Sequence, residues 1–187
     1  MSRMSRMKQP PTTLAAAVLI SGLVLVGGIV RSTSAPAFVS RIEHQQQMQQ
    51  SELRQRFEQG VVMLHAKQYD HAVTALHRVL ELAPRMPEAH VNMGYALIGL
   101  QQPAAAEGFF QAAVELNPRQ ANAYYGLALV AESRQDYEAA LGAMRTYLHF
   151  SPADDVHRTR ARSALWEWEE KLGRHAAAAP AAGPRRP

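Results

Sequence analysis

The chain has 187 residues, 20 Lys and Arg against 16 Asp and Glu, a net charge of +4 and no cysteine. That length fits one ordinary domain with extensions and excludes a multidomain enzyme, while the missing cysteines exclude a disulfide scaffold, a zinc ribbon, a thiol nucleophile and a covalent c-type haem site. The charge excess is local: residues 1–31 hold Arg3, Arg6, Lys8 and Arg31 with no acid, and the rest of the chain balances 16 basic against 16 acidic side chains, which removes the case for nucleic-acid binding.

Residues 1–12 form a basic tail, and Leu14–Val30 (LAAAVLISGLVLVGGIV) contains nothing more polar than Ser21. Seventeen residues at about 1.5 Å each cover roughly 26 Å, and Thr12 and Thr13 extend the run toward the roughly 30 Å of a bilayer's hydrocarbon core. A transmembrane helix is predicted over 13–30, acting as a signal-anchor. The competing reading is a signal peptide cleaved after Ala37, because Ala35-Pro36-Ala37 supplies an A-x-A arrangement; the length of the apolar run and Arg31 within the would-be neutral region favour retention. Three cations and the amino terminus precede the run, against Arg31 and Arg41 just after it. That asymmetry predicts a cytoplasmic amino terminus and an exported remainder, a single-pass protein of a bacterial inner membrane with its bulk in the periplasm.

Residues 31–52 read as a linker and a Gln-rich stalk helix, with Ile42, Gln46, Gln49, Leu53 and Phe57 on one face. The seam is too short and too polar to establish a coiled coil, which needs three or four sustained heptads. It leaves self-association open.

From residue 53 onward an internal period dominates. Pro84, Pro118 and Pro152 are 34 residues apart and end similar phrases, VLELAP, AVELNP and YLHFSP, each an amphipathic helix running into a residue that cannot continue it. Twelve residues before each proline stands Ala72, Ala106 or Ala140, and twenty-four before it Gly60, Gly94 or Ala128. Small residues at two fixed offsets let antiparallel helices approach closely, with larger side chains sealing the crossing. The register resembles the tetratricopeptide repeat (TPR), a 34-residue helix-turn-helix unit. Residues 53–86, 87–120 and 121–154 match it, with Leu76, Phe110 and Met144 at its large apolar position and Val79, Ala113 and Tyr147 three residues on. Tyr69 and Tyr137 fit the aromatic at the turn into the second helix, Pro103 replaces it in the middle repeat, and Arg56 and His90 stand where the family often has Trp. The resemblance implies an all-α fold: three repeats in a right-handed solenoid.

Residues 155–174 read as a capping helix, with Asp154 or Asp155 at its start and Leu165, Trp168 and Leu172 on the inward face. Glu167 with Lys171 and Glu170 with Arg174 make i,i+4 pairs on its outer side. Residues 175–187 (HAAAAPAAGPRRP) form an Ala/Pro tail with too little apolar bulk to fold.

No catalytic, cofactor or metal constellation emerges. His65, His71 and His77 are six apart and do not stack on one helical face, and no glycine-rich phosphate loop or nucleophile elbow occurs. The basic run from His157 to Arg162 is followed by Glu167, Glu169 and Glu170 and reads as a solvated face. What remains is the concave surface, where the resemblance places Phe57, Val61 and Leu64 of the first repeat, Val91, Asn92, Tyr95 and Ile98 of the second, and Asn122, Tyr125 and Leu129 of the third. Of the residues that clamp a peptide's carboxylates in some family members only Asn92 survives, with Phe57, Val61, Asn122 and Gly126 at the others. The expected partner is therefore an apolar or amphipathic protein segment, with the asparagines fixing polar backbone groups. This implies a non-catalytic, membrane-anchored adaptor in assembly of an envelope complex. The alternatives are a periplasmic holder of unfolded clients, as in cytochrome c maturation, and a self-oligomerising structural protein.

Overall fold

The computed structural model describes residues 34–173, with side-chain surroundings from Ser40 onward. The expected basic tail, the span over 13–30 and the segment 175–187 lie outside the described residues. Among those described, no helix is long and apolar enough to cross a membrane. Among the described residues seven helices follow one another: α1 (Ser34–His65), α2 (Tyr69–Leu82), α3 (Pro87–Gly99), α4 (Pro103–Leu116), α5 (Ala121–Ser133), α6 (Tyr137–Phe150) and α7 (Arg158–Lys171). The helices pack as pairs, α1 on α2, α3 on α4 and α5 on α6; α2 then meets α3, α4 meets α5, and α7 closes over α6.

Within each pair the turn is built the same way. Lys67, Gln101 and Gln135, again 34 residues apart, adopt left-handed φ values of 59°, 63° and 60°. Each donates its N–H three residues back (Lys67 to Leu64, Gln101 to Ile98, Gln135 to Glu132). The following residue donates five back (Gln68 to Met63, Gln102 to Leu97, Asp136 to Ala131), at 2.8–3.0 Å throughout. These paired bonds satisfy the carbonyls that a helix end leaves open. The residue after each left-handed one opens the second helix: Asp136 does so with its carboxylate, which accepts from the Ala139 N–H at 3.1 Å, while Pro103 occupies the first turn of α4.

The small-residue rule has a visible cause. A Cβ at Gly60 would fall 2.8 Å from Leu76, and Cβ atoms at Gly94 and Gly126 would fall 2.6 and 2.3 Å from the same Cε1–Cζ edge of the Phe110 ring. The tip of Phe110 thus reaches the backbone of both α3 and α5, an approach that glycine at both positions admits. Ala72, Ala106, Ala128 and Ala140 are fully buried, as are the large residues Leu76, Phe110 and Tyr147 that seal the crossings.

Three expectations are corrected by geometry. The stalk and first repeat are not separate elements, since α1 runs unbroken through the expected boundary at 52/53. Its residues 40–51 are exposed, whereas Phe57 and Leu64 pack on the core. Asp155 does not cap α7, which starts at Arg158 with no side-chain cap; its Oδ1 accepts from the Tyr147 hydroxyl and the His157 N–H, both at 2.8 Å. Nor is Arg158 part of a solvated basic face. Its Nη1 donates to the carbonyls of Leu148 and Ser151 and to Ser151 Oγ. Arg158 thereby does for the last junction what His90 and Tyr124 do for the earlier ones. His90 Nε2 donates to the Pro84 carbonyl at 2.9 Å and the Tyr124 hydroxyl to the Pro118 carbonyl at 3.0 Å. The three residues are spaced by 34, and each secures the chain leaving one repeat to the helix that begins the next.

Candidate functional site

The first helices α1, α3 and α5, with the start of α7, line a hollow of about 350 Å³ walled by Leu64, His65, Asn92, Tyr95, Asn122, Tyr125 and His157. Five of the ten residues expected on the concave surface therefore meet here: Leu64, Asn92, Tyr95, Asn122 and Tyr125. The others are placed elsewhere. Val91 is 3% exposed and belongs to the core, and Phe57 and Ile98 are half-buried against it. Leu129 packs on the second core and lines a smaller adjoining hollow of about 190 Å³, together with Tyr125, Glu132, Arg160 and Trp168. Val61 is half-buried and lines neither hollow.

The two tyrosines serve the fold as well as the surface. Tyr95 packs against both hydrophobic cores, one formed by α1–α5 and the other by α5–α7. Its ring meets Phe110 edge-on at 5.1 Å and its hydroxyl donates to the Asn122 carbonyl at 2.7 Å. Burial pushes that hydroxyl's pKa up, helped by the neighbouring Tyr125, Tyr147 and Asp155. Tyr125 is 9% exposed and stands edge-on to Tyr147 at 5.1 Å, with the His157 ring tilted over it at 5.9 Å. Its hydroxyl is also pushed up by burial, against the opposing pull of Arg160. Beneath them Tyr147 is pushed up to about 12, first by burial and then by its hydrogen bond to Asp155. For Asp155, burial raises the carboxyl, but the bonds from the His157 N–H and the Tyr147 hydroxyl, with the charges of His157 and Arg158, outweigh it and leave a net lowering.

No Asp, Glu, Lys or Arg lines the larger hollow. The side-chain amides of Asn92 and Asn122, the Tyr125 hydroxyl and the ring nitrogens of His65 and His157 have no hydrogen-bond partner among the described residues. The hollow therefore offers an aromatic floor ringed by polar groups without hydrogen-bond partners among the described residues. Such a surface suits the carbonyls and amides of a peptide backbone better than a free ion. Among the described residues no group of three or more His, Cys, Asp or Glu could hold a metal ion.

Two lining residues went unread in the sequence. His65 sits at the thirteenth position of its repeat, one that the family's pattern already turns inward, so its signal was present. His157 had none, because α7 begins about one turn later than the 34-residue phase requires.

The tetratricopeptide repeat model matches residues 57–121 and 91–155, which together span more than half of the chain. The cell division cycle protein 27 homolog of Caenorhabditis elegans is 28% identical over 88 residues, 47% of this chain but only 11% of that protein. Among solved structures, the first TPR of Spaghetti (RPAP3) bound to an HSP90 peptide superposes with a TM-score of 0.59 at 22% identity, covering 66% of this chain and 94% of that one. PcrH in complex with the chaperone binding region of PopD gives a TM-score of 0.61 at 14% identity, covering 66% and 95%. At these identities the structural likeness establishes the fold, and with the matched repeats it closes the question of kinship: the chain belongs to the tetratricopeptide repeat family.

Proposed function

We propose that this protein is a non-catalytic adaptor, tethered to a bacterial inner membrane through residues 13–30, whose repeats hold an extended or amphipathic segment of another protein. The observation that carries the reading is the hollow of about 350 Å³, where an aromatic floor is ringed by amide, hydroxyl and imidazole groups that have no hydrogen-bond partner among the described residues. The apolar run and its flanking cations support the tether, with the amino terminus in the cytoplasm and the repeats in the periplasm. Tethering raises the effective concentration toward a neighbouring membrane complex, so weak individual contacts suffice for a role in envelope assembly. The likeness to PcrH, seen with a chaperone binding region of another protein, favours a holder of unfolded clients as the second reading.

A photo-crosslinking residue placed at Asn122 in intact cells tests the groove. It is expected to capture a partner that the same residue at Val62, on the exposed outer side of α1, does not. Replacing Asn92 and His65 by Ala should abolish capture with the thermal midpoint retained. Equal capture from Val62, or recovery of the protein in the soluble fraction, would overturn the reading.

A further inference from the structure

One side of α1 corresponds to a surface that the later repeats bury. At about 100° per residue, Met48, Ser51, Gln55, Glu58 and Val62 fall along the side turned away from Phe57 and Leu64, which pack on the core. The 34-residue period puts Gln55 and Val62 in register with Ala89 and Ala96 of α3 and with Ala123 and Val130 of α5. Those residues are at most 1% exposed, on helices that the preceding repeat covers, since α2 meets α3 and α4 meets α5. Nothing among the described residues covers α1 in this way, and Met48 and Val62 are each 58% exposed.

That exposed side is its own complement when turned end for end. Met48 lies seven residues before Gln55 and Val62 seven after it, so an antiparallel copy sets Met48 of each chain against Val62 of the other. Arg54 and Glu58 share one flank of the stripe, and the same reversal sets Arg54 against Glu58 in both directions. Neither has an ion pair among the described residues. At the centre Gln55 meets Gln55, an amide that both donates and accepts. Two shallow hollows of about 250 and 460 Å³ run along this side and share Ser51 and Gln55, leaving room for the side chains of an apposed helix. A parallel copy would set every residue level with its own kind and lose both charge pairs.

We propose that two copies of this chain pair antiparallel through the outer side of α1, about a two-fold axis at Gln55. The second α1 runs in the sense that α2 takes against α3, so it fills the place that a preceding repeat fills for the later ones. Such an interface uses the same patch on both copies and closes at two. For copies anchored in one membrane the pair lies along the surface, with its axis normal to it. The concave hollow, walled by Leu64 and His65 at this end, stays open, so the inference goes beyond the groove reading and does not depend on it.

Because the chain has no cysteine, single thiols report the pairing directly, in the full chain and in intact membranes treated with an oxidant. Gln55→Cys is expected to link to itself, being on the axis. Met48→Cys and Val62→Cys should link to each other when two copies of different size are co-expressed, and neither to itself, since like positions lie about 21 Å apart along the helices. Thr74→Cys, on the exposed side of α2, gives the background from chance collision. Arg54→Glu should cut the Gln55→Cys link about tenfold by setting like charges together, and adding Glu58→Arg should restore it. Self-linkage of Met48→Cys, a Gln55→Cys link no stronger than the Thr74→Cys background, or failure of the charge reversal to rescue overturns the inference. A photo-crosslinker at Val62 then captures a second copy, while the one at Asn122 captures the groove's partner. Capture at Asn122 with Gln55→Cys unlinked leaves the groove reading standing and removes only the pairing.

Discussion

Phe110 shows how a single side chain sets the spacing of two repeats. One edge of its ring lies against the bare backbone at both Gly94 and Gly126, so α3 and α5 are both held to the same side chain of α4. Gly94 stands at a position where the repeat pattern asks for a small residue, and Gly126 does not, yet the contact at Gly126 is the tighter. Gly126→Ala is expected to lower stability by about 1–3 kcal/mol, because the added Cβ would fall 2.3 Å from a fully buried ring that must shift to admit it. Denaturant unfolding of the variant checks this, and an unchanged midpoint would show that the ring relaxes. A second residue-scale device is the Tyr147–Asp155 bond. The folded state depresses the Asp155 carboxyl below its ordinary value of 3.8, so the stability it contributes is complete above 3.8 and disappears as pH falls through the lowered value. Asp155→Ala should cost about 1–3 kcal/mol at neutral pH, with the gap from wild type closing in acid. Stability curves for the two proteins at pH 7 and pH 3 test the sign.

At the scale of elements, the repeats were legible because their constraint is local and recurs. A proline after each second helix, alanine at each crossing and one large residue between them fix the phase wherever the reading begins. What stayed hidden lies where that recurrence stops. The unbroken course of α1 could not be seen, because a Gln-rich stretch without Gly or Pro is as compatible with a separate stalk as with a continued helix. The left-handed residues Lys67, Gln101 and Gln135 carried no signal, since the sequence has none of the glycines that usually mark such a turn. Arg158 read as a surface cation because its three acceptors are main-chain and hydroxyl oxygens, invisible to charge counting. The capping role of α7 was legible through Trp168, which is fully buried and donates its indole N–H to Glu132 at 3.0 Å. Trp168→Ala is expected to cost about 3–5 kcal/mol, and hydrogen exchange should locate the loss in α5–α7 before α1–α3. Uniform loss across all helices would argue that the stack melts as one unit.

For the whole molecule, the groove and the core are not independent. Of the residues predicted to contact a partner, Tyr95 is the one that packs against both cores, and its hydroxyl ties α3 to the first turn of α5. The spacing alone could not separate the two roles: an inward-facing apolar residue on a concave helix serves as a strut or as a contact at the same repeat position, and Val91 went to the core while Tyr95 does both. Tyr95→Phe keeps the ring and removes the tie; a loss of about 0.5–1.5 kcal/mol is expected, with faster amide exchange at Ala123 and Tyr124. Unchanged exchange there would assign the hydroxyl no role in joining the repeats. The continuous helix α1 has a mechanical consequence. Its 32 residues form a shaft of about 48 Å with no joint between its first turn and the wall of the groove. Each residue of such a shaft advances the azimuth by about 100°. The compass bearing of the groove, seen from whatever holds residues before Ser34, is therefore set by counting residues. Inserting one residue near Gln47 would swing the groove through more than a quarter turn without altering a single contact inside it.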